Sequence, residues 1–322
     1  METADRTRVA LRVAHLYYVK DVKMESIASS LGISRSSVSR LLTFARQSGL
    51  VDIRIRPPAD DISRIQFNLR REFRVTTYIV PADTGTSTRE RTLAVSRYAG
   101  RLIPQVIDRG AMVGVAWGAT ISEVSKHLVE RELNDVVIVQ LNGAAQPQSS
   151  GIDYVGRLLE RFAAAVAGRI EFLPVPAFFS KASTKLAMWE EPTIARVIAL
   201  QARLDVAIFG VGAPDSDVPG QVYRGGYLDD DDRAQLVRDR VVGDVATVFL
   251  RADGSSDGIE MNERSTGPSI HSLKEVPRRI CVVSDPSRVH AVLAALRAGL
   301  ITDLIIDETS ARSVSETMSL SS

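Results

Sequence analysis

The sequence contains a single cysteine, Cys281, so no intrachain disulfide can form and a zinc site would need other ligands. Cys281 lies in the apolar run RRICVV and reads as a buried strand residue rather than a reactive thiol. No run of about 18 apolar residues occurs, which excludes a helical membrane span. The opening METADRTRVA lacks the apolar segment of a secretory signal, so the expected location is cytoplasmic. HExxH, GxSxG, P-loop and complete dinucleotide motifs are all missing, and with them the usual starting points for hydrolases, kinases and dehydrogenases. The acidic run at 229–232 reads as the charged start of a helix, so no metal and no cofactor is expected.

The chain of 322 residues is about twice as long as one domain needs, so two domains are expected. Its charge is unevenly placed. Residues 1–58 hold ten Lys and Arg against five acids, a local +5 within a total of +1, which leaves −4 for the remainder. A small basic module therefore precedes a larger, mildly acidic one.

In the basic module, apolar spacing predicts helices over Val9–Tyr18 and Glu25–Leu31, the second broken by Gly32. Ser34 is placed to cap a third helix, with Val38, Leu41, Leu42 and Ala45 on its inner face and Gly49 at its end. Ala28 at the crossing, Gly32 in the turn and a buried set of Ile27, Leu31, Ile33, Val38 and Leu41 fill the slots of a helix-turn-helix. SLGISRSSVSRL then turns Arg35, Ser36, Ser37, Ser39 and Arg40 outward. Short hydroxyl side chains let such a helix enter a major groove, and arginine either forks onto guanine or clamps a phosphate. With Ser34, these are the candidate DNA-contacting residues, Arg35 and Ser36 toward bases and Arg40 toward backbone; Arg40 and Arg46 equally suit a solvated helix face. LVDIRIR alternates as a strand, where Arg54 and Arg56 serve either as a rudimentary wing or as edge charges that discourage aggregation.

Pro57-Pro58 ends this domain, assigned to 1–57. A linker helix over 58–74 follows, with Ile62, Ile65, Leu69 and Phe73 as a stripe for a second copy or for the next domain. From 75 to 322, short apolar runs (VTTYIV, MVGVAW, VVIVQLNG, EFLPVPA, VAIFGVG, VATVFL, ICVVSD, DLIID) are interleaved with helical patterns. Strands apolar on both faces and separated by helices predict a doubly wound, mostly parallel α/β sheet. The polar SARSVSETMSLSS reads as a fraying turn and disordered tail.

The blocks LYY, IASSLGISRSSVSRLL and ARQSGLVDIRI, then GVAWGATI, QLNG, FGVG, MNER and AALRAGLITDLIIDE, together resemble the SorC/DeoR-type sugar-binding transcriptional regulators of bacteria. The resemblance spans nearly the whole chain. It implies an N-terminal winged helix-turn-helix domain, an effector domain similar to phosphosugar isomerases, and assembly as a homodimer or homotetramer on operator DNA with inverted half-sites. It implies a sugar, sugar alcohol or sugar phosphate as effector. Gly118, Ala119 and Thr120 open a helix after a strand, where backbone N–H groups suit a phosphate or hydroxyl pair. Asn142 and Gly143, and Gly210 and Gly212, end two further strands at the sheet edge where ligands bind. Asp253, Asn262 and Arg264 offer an acceptor, an amide and a cation. Where relatives carry a glycine pair and a lysine, this chain reads SDPSR, so Arg288 is the candidate cation while Asp285 would repel a phosphate. Asn142 also stands where some relatives have a Schiff-base lysine, which argues against covalent capture of an aldehyde.

The alternative is an isomerase-like enzyme with an attached DNA-binding module. That chemistry needs a base and a proton shuttle. Of the four histidines, His15 falls in the basic module, His127 and His290 in helical patterns, and only His271 in an expected loop. A non-enzymatic regulator is the expectation.

Overall fold

A computed structural model describes residues 3–51, 59–82, 85–217 and 220–320. The chain divides into two units, Met1–Pro57 and Pro58–Ser322.

In the first unit, α1 (Thr3–Ala14) runs on into one π-helical turn, His15–Val19, so this helical stretch starts earlier than apolar spacing indicates. α2 (Met24–Leu31) ends at Gly32, whose φ of 64° lies in the left-handed region that a side chain would strain. α3 (Arg35–Gln47) begins at Ser34, whose hydroxyl accepts from the Ser37 amide at 3.1 Å. A small core joins Val13 and Ala14 of α1, Ile27 and Ala28 of α2, and Val38, Leu42 and Ala45 of α3, with Leu41 only partly buried against it. The expected strand lies, from Asp52 onward, outside the described residues, and Arg54 and Arg56 with it.

The second unit is built on a parallel sheet of seven strands: β1 (Thr76–Val80), β2 (Met112–Val115), β3 (Val137–Gln140), β4 (Arg169–Glu171), β5 (Val206–Phe209), β8 (Arg278–Val283) and β9 (Asp303–Asp307). Their order is β1-β9-β8-β5-β2-β3-β4. VATVFL departs from expectation. Ala246 and Thr247 hold φ of 49° and 68°, the signature of a tight hairpin, so β6 (Val241–Val245) and β7 (Val248–Arg251) pair antiparallel with each other and stay out of the main sheet.

The helices, in chain order, are α4 (Ala59–Phe73), α5 (Thr88–Gln105), α6 (Ala119–Ser125), α7 (Ile152–Val166), α8 (Ala182–Glu190), α9 (Pro192–Gln201), α10 (Gln221–Arg224), α11 (Asp230–Arg238), α12 (Glu260–Arg264), α13 (Ile270–Glu275), α14 (Val289–Arg297) and α15 (Glu308–Leu320). Alternate strand residues enter different cores. Val139, Phe209, Cys281 and Ile306 pack with α4, α9, α14 and α15, while Val115, Ile138, Ile208 and Ile305 pack with α5, α6 and α7. The period-two side-chain pattern thus covers both sheet faces with helices.

One open alternative is decided here and one expectation changes. The stripe of α4 lies on this unit: Ile65 and Leu69 are buried in its core, and the Gln66 amide donates to the Thr77 carbonyl at 2.8 Å. The serine-rich C-terminal segment is the 13-residue α15 rather than a disordered tail, because Ala311 and Val314 are buried against the sheet and Asp307 accepts from the Ser310 amide at its start. Cys281 is fully buried, and burial pushes its thiol pKa upward. No described helix is long and apolar enough to cross a membrane.

Candidate functional site

From β1 at one edge the chain crosses to β2, proceeds outward through β3 and β4, and returns on the other side of β2 through β5, β8 and β9. Loops leaving β2 and β5 therefore diverge, and a crevice opens at the carboxyl ends of the strands. It holds a cleft with an empty volume of ≈ 520 Å³, counting the part open to solvent. Its walls come from the turn after β2, from Asn142 after β3, from Gly210 to Gly212 after β5, from α10, from the β6–β7 hairpin and from Arg288.

Seven of the expected ligand residues meet here: Gly118, Ala119, Thr120, Asn142, Gly210, Gly212 and Arg288. Four do not line it. Gly143 is held by packing, since a Cβ there would come within 2.2 Å of the Pro176 carbonyl oxygen. Asp253 caps its own turn, accepting from the Ser255 amide at 2.9 Å. Asn262 anchors β7 by accepting from the Phe249 amide at 2.8 Å and donating back to the Phe249 carbonyl at 3.0 Å. Arg264 pairs with Asp232, a member of the capping box that starts α11. An acceptor, an amide and a cation close together in sequence suggested Asp253, Asn262 and Arg264 as ligands; in the fold each of these side chains already has a partner within the protein.

Asn142 is only 1% exposed, and neither atom of its side-chain amide has a hydrogen-bond partner in the protein. An unpaired buried amide costs about 1–3 kcal/mol, so the arrangement is one that a ligand completes. Asp244 also lines the cleft; sequence reasoning missed it, although an acid inside the apolar run VVGDVATVF was a usable signal. Its Oδ2 accepts from the Thr247 amide at 3.2 Å, and the Tyr223 hydroxyl lies beside the carboxylate. Gly212 is small for this carboxylate: a Cβ there would lie 2.0 Å from Asp244 Oδ1. Desolvation raises the Asp244 pKa to about 6, with the nearby Tyr223 hydroxyl, the Thr247 amide and the Arg288 charge pulling it back. Trp117, also missed, lines the cleft, stacks on Tyr227 at 4.9 Å and donates its indole N–H to the Gly143 carbonyl at 2.8 Å.

The raised pKa of Asp244 makes stability depend on pH. Its folded value of about 6 exceeds the ordinary 3.8, so ionisation opposes folding; the penalty is absent below about pH 4 and complete above about pH 6. A difference of that size corresponds to about 3 kcal/mol. Asp244→Asn is expected to match the parent in stability near pH 4 and to exceed it by about that amount at about pH 7.5, read from urea titrations at each pH. A difference that stays constant with pH would show that Asp244 is not held in a desolvated site.

In the first unit, Arg35, Ser36, Ser39 and Arg40 are exposed on α3 and Ser37 is half-buried. Ser34 Oγ lies 2.8 Å from Ser36 Oγ and 2.9 Å from Ser37 Oγ, and Arg40 donates to Ser37 Oγ at 3.4 Å. Arg35 Nε pairs with Glu25 at 2.8 Å, with both side chains well exposed. Among the histidines, His271 sits in α13 rather than in a loop, and His127 follows α6 beside Glu123 at 3.2 Å. None lines the cleft among the described residues.

A small-molecule cleft at the switch point of a doubly wound sheet, preceded in the chain by a separate helical unit, defines a ligand-binding protein with an appended module. The family model described as "Putative sugar-binding domain" matches residues 58–315. The Deoxyribonucleoside regulator of Bacillus subtilis (strain 168) is 28% identical over 96% of this chain and 98% of its own length. A solved domain of "a possible sugar-binding transcriptional regulator" from Arthrobacter aurescens TC1 is 48% identical, with a TM-score of 0.75 over 80% of this chain and 99% of that one. The full-length Sorbitol Operon Regulator SorC from Klebsiella pneumoniae is similar in fold, with a TM-score of 0.70 at 21% identity over 96% of this chain and 98% of that one. The chain belongs to the SorC family of sugar-binding transcriptional regulators.

Proposed function

We propose that this protein regulates transcription: residues 1–57 bind operator DNA as a helix-turn-helix unit with α3 in the major groove, and the cleft of the second unit binds a small carbohydrate effector. Working as a homodimer or homotetramer on inverted half-sites, it changes DNA affinity because the effector prefers one arrangement of paired modules. The observation that carries the effector reading is Asn142, a buried amide whose donor and acceptor both await partners inside the cleft. Sugar hydroxyls donate and accept at once, which is the complement it needs. The DNA reading rests on the short hydroxyl side chains that α3 exposes with Arg35 and Arg40, and both readings agree with the regulator names of the relatives. Turnover is not expected, since the described cleft supplies one carboxylate and no histidine to move a proton onward.

A gel-shift assay with the DNA upstream of its own gene, with and without a panel of sugars and sugar alcohols, tests this reading. Arg35→Ala is expected to lose about 10- to 100-fold in preference for operator over random DNA, corresponding to about 1–3 kcal/mol for a two-point base contact. The exposed pair with Glu25 is worth at most about 1 kcal/mol, so folding should barely change. Unchanged preference would remove Arg35 from base reading.

A further inference from the structure

Building on the reading of the cleft as a carbohydrate site, we infer that the effector is uncharged where it meets the protein: a free sugar or polyol that gives a hydroxyl to Asp244 and exchanges hydrogen bonds with Asn142, and not a phosphate ester. The charged side chains among the described lining residues are Asp244 and Arg288. Arg288 is already committed. Its Nε lies 3.3 Å from Asp285 Oδ2, and its Nη1 donates to the Val211 carbonyl at 2.8 Å. Both members of that pair are sequestered, with side chains 14% and 5% exposed. Asp285 is fixed in turn by accepting from the Ser287 amide at 3.0 Å.

Counting the two carboxylates against one guanidinium, the surroundings are net negative, and the cation that a phosphate would need is neutralised from behind. The acceptors in the cleft point the same way. The unpaired side-chain oxygen of Asn142, Oδ1, and the Asp244 carboxylate both accept, and hydroxyls satisfy them where a phosphate dianion cannot. Thr120 and Gln221, also in the lining, add further groups that can both donate and accept.

The test uses the full-length protein and two readouts, thermal shift and tryptophan fluorescence, the latter because Trp117 lines the cleft and is one of only two tryptophans. Free hexoses, pentoses and their alcohols are compared with the monophosphate of each, and with inorganic phosphate. At least one free compound is expected to bind at least tenfold more tightly than its own phosphate ester. Asp285→Asn, which removes the carboxylate paired with Arg288 while keeping the capping acceptor, should narrow or reverse that preference. A phosphate ester that binds the parent protein more tightly than its free counterpart overturns the inference while leaving the carbohydrate site standing. If neither series perturbs either readout, the carbohydrate reading itself falls, and this inference with it.

Discussion

Asn142→Leu yields a protein that melts higher than the parent and no longer shifts when its effector is added. The leucine replaces an amide of similar volume that has no hydrogen-bond partner, at a position 1% exposed. Leaving such a group unpaired costs about 1–3 kcal/mol, and its removal returns part of that cost. The backbone around it is fixed by other residues. Gln140 donates to the Asn142 carbonyl at 2.8 Å and accepts from the Leu173 amide at 3.1 Å, while Gln201 donates to the carbonyls of Gln140 at 2.8 Å and Leu141 at 3.0 Å. The end of β3 therefore keeps its course, and the gain should appear as a few degrees in Tm. Thermal scans with and without the effector panel check both halves. A variant less stable than the parent would mean that the amide is satisfied in the free protein; a retained effector shift would place the site elsewhere.

Val38→Asp is expected to abolish DNA binding while the second unit keeps its melting transition and its response to effector. Val38 is fully buried on α3 in a core of eight residues that includes four alanines, so no deeper layer compensates. A carboxylate placed there has no cation among its buried neighbours and either stays charged in an apolar site or takes up a proton, at a cost of several kcal/mol in either case. A unit of about 57 residues rarely has that margin. Gel shift reads the loss, and limited proteolysis followed by mass spectrometry reads where the chain has opened. Operator binding at the parent's affinity would show that α3 does not depend on this core.

Much of the fold was legible because two periodicities are strong in this chain. Residues such as Val206 to Phe209 and Leu304 to Ile306 are buried on both faces, and a short apolar run between helical patterns has few other uses than a central parallel strand. VATVFL carries the same composition and yet forms a hairpin, because its partner is chosen by the left-handed turn at Ala246 and Thr247, which no glycine announces. The helix α15 was hidden by serines: its Ala311 and Val314 face the core at helical spacing, but small residues register weakly as an apolar stripe.

The sequence alone determined the capping of α3 by Ser34, the left-handed Gly32 before it and the two glycine-containing strand ends, at 118 and at 210–212, since each depends on local backbone chemistry that a few adjacent residues specify. Only the tertiary structure decided which polar groups would face the cleft. Asp244 reaches it from a hairpin more than a hundred residues beyond Asn142, and its carboxylate fits because residue 212 has no side chain. Asn262 and Arg264, chemically as suitable, are consumed by a strand edge and a helix cap. Whether a polar residue binds a ligand depends on whether folding has already given it a partner, and long-range packing settles that.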